Sequence, residues 1–401
     1  MIVRPFEGVR VLDFTRVVSG PYCTQLLGLL GAEIIKVEDR DGGDSVRHGP
    51  GDPELKGGGL AATFVMFNAG KKSLTLDLKK PEAKAVVMRL ARSCDVAVEN
   101  FRAGVIDRLG FGYLALSAEN PRIIFCSISG FGQTGPDCQA PAFDGNIQAM
   151  SGMMAISGEP DGDPMRAGYS VADTGTGLQA ALAISAALYQ RNQTGQGQHI
   201  DVAMLDSAIS LLSQSAGAWL NAGIVQKRRA NMSISREPTS DTFRTADGTV
   251  MLAVMRDDHF AKLARALGLG HLAEDPRCAT REGRVANTEL IKPLVQDALL
   301  NAGTAEWKRR LDEAGVPCSP VLELAAALSQ PQVEHRRLVV ETRDEKTGRT
   351  MRSFNTAFQY AHGSPGPAFP PQRLGAQNEE VLTALGYSPE EIAELARREV
   401  I

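Results

Sequence analysis

Short apolar runs alternate with longer amphipathic stretches through the first third of the chain. Val9 to Phe14 (VRVLDF) follows Gly8 and reads as a buried strand. Arg16 to Pro21 (RVVSGP) turns the chain into a helix from Tyr22 to Leu30, which Gly31 ends. Glu33 to Glu38 (EIIKVE) is a second strand, and Lys72 to Leu78 (KSLTLDL) alternates as a third. Pro81 to Arg92 is a helix with proline in its first turn. Asp95 to Glu99 (DVAVE) and Ile123 to Ser129 (IIFCSIS) are further strands. Residues 39–60, rich in Gly, Asp and Pro, read as a surface loop. This rhythm predicts an α/β fold with a Rossmann-like, doubly wound sheet, whose ligands bind beyond the carboxyl ends of the strands.

The pattern changes after Lys227-Arg228-Arg229, an exposed linker. Phe243 to Val254 (FRTADGTVMLAV) predicts a hairpin with its turn at Asp247-Gly248. Helices follow at about 257–267, 287–301 and 304–314, and VPCSPV from Val316 returns to a strand. A smaller α/β domain over 228–330 follows from this. Residues 338–360 read as two strands turning at Thr347-Gly348. The tail from Asn378 to Arg398 reads as two helices split at Ser388-Pro389.

Composition narrows the function. A net charge of -4 predicts no general affinity for nucleic acid or an anionic membrane. No apolar run reaches the ~20 residues of a membrane span, and the start has no signal-peptide pattern. The six cysteines and six histidines are scattered without metal-ligand spacing. The expectation is a reduced, cytoplasmic protein with no structural metal. The turn after the first strand, TRVVSGP, lacks the GxGxxG fingerprint, which counts against a nicotinamide dehydrogenase.

One stretch carries candidate chemistry. In GYSVADTGTG (168–177), Asp173 precedes a long apolar helix and is a candidate N-cap, where the helix dipole favours its ionised form. Flanking glycines let a ligand approach the backbone, so the carboxylate is also a candidate nucleophile, although a plain helix cap is the commoner role. Lys71, Lys72, Lys79, Arg102 and Arg108 lie near strand ends and suit a phosphate-bearing ligand or a merely solvated surface. Phe101, beside Arg102, suits adenine stacking or core packing.

Seven stretches, in order, resemble the class III CoA-transferases, the family of formyl-CoA transferase and carnitine CoA-transferase. They are VLDFTRVVSGPYCTQLLGLLGAEIIKVE, NAGKKSLTLDLK, ENFRAG, SGFGQTGP, GYSVADTGTG, TGQGQHIDVAMLDS and LGAQNEEVLTALGYSPEEIAEL. The resemblance covers nearly the whole chain and is weakest between about 225 and 330. It implies that Asp173 attacks an acyl-CoA thioester, and that CoA passes to a carboxylic acid through a mixed anhydride and an aspartyl-CoA thioester. It implies that Arg16, Val17, Val18 and Ser19 lie beside the CoA thiol. Arg40, Leu76, Lys79, Asn100, Phe101, Arg102 and Arg108 match positions that hold the rest of CoA. Asp144 either positions the acceptor or anhydride or caps the helix that starts at Gly145. Coenzyme A enters as substrate, with no tightly bound cofactor. Domain 1–227, completed by a return segment over 331–401, is expected in an interlocked, ring-like homodimer.

Two other readings stay open. An acyl-CoA racemase of the same superfamily needs a proton-carrying histidine where this chain has Phe143, and a glutamate near Asp257. A non-catalytic acyl-CoA-binding relative would keep the fold alone. The region SISREPTSDTFRTADGTVML lacks the glycine-rich loop of formyl-CoA transferase, so a dicarboxylate is the expected partner acid. Arg47, His48, Arg166 and Arg236 are candidates for its second carboxylate.

Overall fold

The computed structural model describes residues 4–362 and 366–401. Six parallel strands form the main sheet: β1 (Arg10–Asp13), β2 (Glu33–Glu38), β3 (Lys71–Thr75), β4 (Val96–Glu99), β5 (Ile124–Ser129) and β6 (Gln198–Ala203), in the order β3-β2-β1-β4-β5-β6. The chain moves outward from β1 to β3 and then returns to place β4 on the other side of β1. The two turns leaving β1 and β4 therefore diverge, which opens a crevice at their carboxyl ends.

Alternate residues of each central strand enter different cores. Leu12, Ile35, Leu74, Ala97 and Phe125 pack on one face with the helix Pro81–Ser93 and the two C-terminal helices. Val11, Ile34, Val96, Val98, Ile124 and Cys126 pack on the other against Cys23 and Leu27 of the helix Ser19–Leu29 and Ala180, Ile184 and Leu188 of the helix Val171–Thr194. Burial on both faces is why these strands read as near-continuous apolar runs.

The C-terminal stretch closes the β3 edge. Ser73 N–H donates to Gln377 Oε1 at 2.9 Å, and Thr75 N–H to Asn378 Oδ1 at 2.9 Å. Asn378–Ala384 and Pro389–Arg397 then follow, the second started by a Ser388–Glu391 capping box.

Residues 155–165 and 227–330 form a second compact unit. There β7 (Thr242–Arg244), β8 (Thr249–Leu252) and β9 (Cys318–Pro320) make an antiparallel sheet with β8 central. The hairpin and the helices Asp257–Ala266, Thr288–Leu299 and Thr304–Glu313 match the pattern read from the sequence. Phe243, Leu252, Phe260, Val295, Trp307 and Leu311 fill its core. The fully buried Arg284 pairs with Glu237 and lies over the Phe260 ring. Elsewhere, β10 (Val339–Arg343) and β11 (Thr350–Phe354) form the last hairpin.

Residues 39–60 depart from the surface loop expected of them. They hold a 3-10 turn (Ser45–His48) and a short helix (Pro53–Gly57), and Asp44 and Arg47 are both 1% exposed. Arg47 binds Glu38 through two hydrogen bonds of 2.6 and 2.7 Å and lies 3.7 Å from the centre of the Phe64 ring. No helix among the described residues is long and apolar enough to cross a membrane.

Candidate active site

A cavity of about 250 Å³ lies at the crevice between the β1 and β4 ends. Its lining brings together Arg16 to Ser19, Asn100 to Arg102, Phe143 and Asp173. Four stretches far apart in sequence thus meet where the strand order alone predicts a ligand.

Asp173 is not the N-cap of its helix. The cap position is Ser170, whose side chain makes no capping bond, and Asp173 lies in the first turn. The capping carboxylate comes from Asp144 on the neighbouring helix Asp144–Met150. Its Oδ2 accepts from the amides of Ala172 (2.9 Å) and Asp173 (3.2 Å), while Oδ1 accepts from Gln148 at 2.6 Å. Asp144 therefore does the capping that was expected of Asp173, and Asp173 lines the cavity instead. Nor does Asp144 cap its own helix, where Phe143 takes that place.

The dipole was expected to keep Asp173 ionised. Instead, burial and then the neighbouring Asp144 charge push its carboxyl up to about 6, against a smaller downward pull from a Ser19 hydrogen bond. Gly177, one helical turn on and so on the same face, explains the approach to Ser19. A Cβ there would sit 2.7 Å from the Ser19 carbonyl oxygen and 3.0 Å from the Tyr22 ring. Only glycine lets the two helices come this close.

The facing wall is a strained turn. Val17 has φ of +69°, which is rare for a β-branched residue and costs on the order of 1–3 kcal/mol. Its amide donates to both oxygens of Asp44, at 3.1 and 3.2 Å. Asn100 accepts from the Arg16 amide and donates to its carbonyl, both at 2.8 Å. The Arg16 guanidinium lies 5.2 Å from the centre of the Phe101 ring. Beneath Phe101, Glu99 accepts its amide at 2.8 Å, and burial pushes the Glu99 carboxyl up to about 7.

A buried polar network underlies the β1, β2 and β3 ends. Asp13 receives Thr15, Thr24 and Lys71, with Lys71 Nζ at 3.2 Å. Burial alone would raise Asp13, but Lys71, Lys36 and the two threonines hold it below its ordinary value. Lys71, pushed down to about 8 mainly by burial, also donates to the Pro21 carbonyl at 2.9 Å. Lys36 Nζ lies 3.1 Å from Asp44 and donates to the Thr15 carbonyl at 2.7 Å.

These contacts remove several cations from the candidate list. Lys71 is enclosed, and Lys72 pairs with Glu33 and Glu380. Arg47 is buried against Glu38, so it is unavailable to a substrate carboxylate. Arg40 pairs with Asp41 and Glu399 near the chain end, and Leu76 is buried in the core. Lys79, Arg102 and Arg108 are exposed and form no ion pair among the described residues. His48 Nε2 meets the Gly42 carbonyl at 2.9 Å, and Arg166 is exposed. The residues that sequence reasoning missed are Asp13, Thr24, Lys36 and Asp44. A charge inside an apolar strand, as in VLDF and IIKVE, was the available signal for two of them.

No group of three or more His, Cys, Asp or Glu that could hold a metal occurs among the described residues. The arrangement offers a carboxylate that pairs with no cation among the described residues, in one cavity with a turn that is fixed through its backbone. A cavity at the switch point of a doubly wound sheet lies where open α/β proteins bind their ligands. Residues 6–378 match the model of CoA-transferase family III, and the chain belongs to that family. It is 37% identical to succinate–glutarate CoA-transferase of Agrobacterium fabrum over 95% of this chain and 96% of the relative. Against acetyl-CoA:oxalate CoA-transferase of Acetobacter aceti it is 38% identical over 90% and 92%. A crystal structure of a CAIB/BAIF family protein from Brucella suis superposes with a TM-score of 0.86 at 34% identity, over 95% of this chain and 99% of that one.

Proposed function

We propose that this protein transfers CoA from an acyl-CoA thioester to a dicarboxylic acid, with Asp173 as the nucleophile. The observation that carries this is the Asp173 carboxylate itself. It is relieved of capping by Asp144, unpaired with any cation among the described residues, and lies in one cavity with the Arg16–Ser19 turn and the Asn100–Arg102 loop. The relatives' names add the acid class, since they pair CoA thioesters with glutarate, oxalate and D-citramalate.

An Asp173 oxygen attacks the thioester carbonyl carbon, the C–S bond breaks, and CoA leaves as thiolate. The resulting mixed anhydride is attacked by the thiolate at the aspartyl carbonyl, which releases the donor acid and leaves an aspartyl-CoA thioester. The acceptor carboxylate attacks that thioester, forming a second anhydride and freeing the thiolate again. Attack of the thiolate on the acceptor carbonyl gives the new acyl-CoA and restores Asp173. Each step exchanges one activated acyl group for another, so no ATP enters. Lys79, Arg102 and Arg108 supply positive charge for the CoA phosphates, and the Phe101 ring supplies a stacking surface.

The same reading carries a homodimer. Leu178, Leu182 and Tyr189 form an exposed stripe on the Val171–Thr194 helix, and Trp219 and Leu220 are 58% and 78% exposed on the helix Ser213–Ala222. Apolar surface of this extent on two helices suits a protein interface.

A mass-spectrometric screen tests the function. Succinyl-CoA, acetyl-CoA and mesaconyl-CoA are each mixed with free mono- and dicarboxylates, beside an Asp173→Ala control. New acyl-CoA products that vanish in the control are the expected result. Exchange of the α-proton with solvent and no transfer would favour a racemase, although Phe143 carries no proton. Equal use of monocarboxylates would remove the dicarboxylate assignment.

A further inference from the structure

The wall opposite Asp173 is held by Asn100, which lines the cavity, and by Lys36 and Asp44, which do not. Thr15, Arg16 and Val17 are three consecutive residues, and each backbone is fixed by a side chain from another segment. Lys36 on β2 takes the Thr15 carbonyl at 2.7 Å, Asn100 after β4 takes both polar groups of Arg16, and Asp44 takes the Val17 amide. Asp44 and Lys36 also bind each other at 3.1 Å, with side chains 0% and 1% exposed, so one buried ion pair grips both ends of the turn. A β-branched residue leaves φ of +69° for ordinary conformations unless its surroundings over-determine it. Val17 precedes Val18 and Ser19, which complete the wall and carry the Ser19 contact to Asp173.

We propose that Asp44, with Lys36, is a positioning residue for CoA transfer: it holds Val17 in the left-handed conformation that sets the Arg16–Ser19 wall against Asp173. Among the described residues, Val17 is the one residue of the cavity lining that hydrogen-bonds Asp44, through its backbone, and Asp44 takes no part in the bond changes. The proposal rests on the transfer reading above, but its signature is separable, because the wall also receives CoA.

The test uses the full chain with Asp44→Asn, Val17→Gly and the double variant. CoA affinity, acyl-CoA transfer kinetics and thermal melting are measured on each. Asp44→Asn leaves Val17 a single neutral acceptor and removes the charge that holds Lys36 on the Thr15 carbonyl, so it is expected to lower kcat/KM by roughly 10- to 100-fold and to weaken CoA binding. Glycine adopts positive φ without a clamp, so adding Val17→Gly to Asp44→Asn should recover at least about fivefold in both. A purely structural Asp44 would lower the melting temperature while leaving kcat/KM of the folded fraction within about twofold, or would show no recovery with glycine. Either result overturns the proposal. If Asp44→Asn does not fold, Lys36→Gln with and without Val17→Gly reads the same recovery. If the wild-type chain transfers no CoA, the function reading fails by itself, and recovery of CoA affinity in the double variant still decides the clamp.

Discussion

Two clusters of carboxylates, one buried and one half-buried, lie near the switch point, and they are treated in opposite ways. Beneath the β1–β3 ends, Asp13 and Asp44 lie against Lys71 and Lys36 at 3.2 and 3.1 Å, and Asp13 stays below its ordinary pKa. At the helix junction, Asp173 and Asp144 lie together with no cation partner among the described residues, and Asp173 rises to about 6. Pairing yields an inert scaffold, while a withheld cation leaves a carboxylate desolvated, exposed to a ligand and more basic. The same residue type becomes a clamp on one side and a candidate nucleophile on the other.

The sharpest way to break this contrast is Asp173→Asn. Transfer should fall by roughly 10⁴-fold or more, because an amide cannot form the anhydride. Stability should move the other way. Asp173 has a raised pKa, so its ionised form opposes folding. That penalty is absent below pH ~3.8, grows as pH rises through about 6, and is complete above. At pH 8 the asparagine variant should therefore be more stable by ~1–2 kcal/mol after allowance for solvent. Equal loss of activity and stability, read by kinetics and thermal melting, would remove Asp173 from the unpaired class.

On the paired side, Lys71→Met leaves Asp13 buried without its main partner. The expected loss is ~3–5 kcal/mol in chemical denaturation. If it is nearly neutral, the network is not the scaffold described here. Asp13, with its lowered pKa, contributes stability that is present above pH ~3.8 and is lost as pH falls through its folded value. Acid unfolding should accordingly steepen at low pH in the wild type and less so in the variant.

These two regions also differ in how far they could be read in the sequence. The strands β1, β2, β4 and β5 were legible because burial on both faces leaves near-continuous apolar runs, and β3 through its alternation. β6 was not, because Gln198, His199 and Asp201 place polar side chains on an edge strand. The hairpin turns at Asp247-Gly248 and Thr347-Gly348 and the split at Ser388-Pro389 were local chemistry and were read directly. Asp173 stood out through its glycines, but its capping state did not, since Asp144 reaches it from 29 residues away. Arg47 and Lys71 looked like ligand cations because exposure is the default for their residue types. Their partners Glu38 and Asp13 come from separate strands, and no periodicity signals such a pairing.

Gly177→Ala sharpens the geometric half of the comparison. The added methyl meets the Ser19 carbonyl and the Tyr22 ring, and the helix backbones must part by several tenths of an ångström. Overpacking of this kind costs about 1–3 kcal/mol. It should also reduce kcat roughly tenfold or more by moving Asp173 away from the turn. CoA affinity should change less, because the Asn100–Arg102 loop is untouched. A variant that loses stability with kcat intact would make the close approach a packing feature alone.

The smallest expected effect separates the two aspartates. Asp144→Asn keeps an oxygen for the amides of Ala172 and Asp173 but removes the like charge beside Asp173. The cap should survive with a loss of about 1 kcal/mol or less. The Asp173 carboxyl should then titrate at lower pH, since Asp144 is the second cause of its rise after burial. In the wild type, transfer should decline as pH drops through about 6, where Asp173 takes up a proton. In Asp144→Asn that acid limb should shift to lower pH, while the rate on the plateau falls modestly because a less basic carboxylate is a weaker nucleophile. An unmoved limb would mean that burial alone sets the Asp173 charge. Asp144 would then act only as the cap that frees its neighbour.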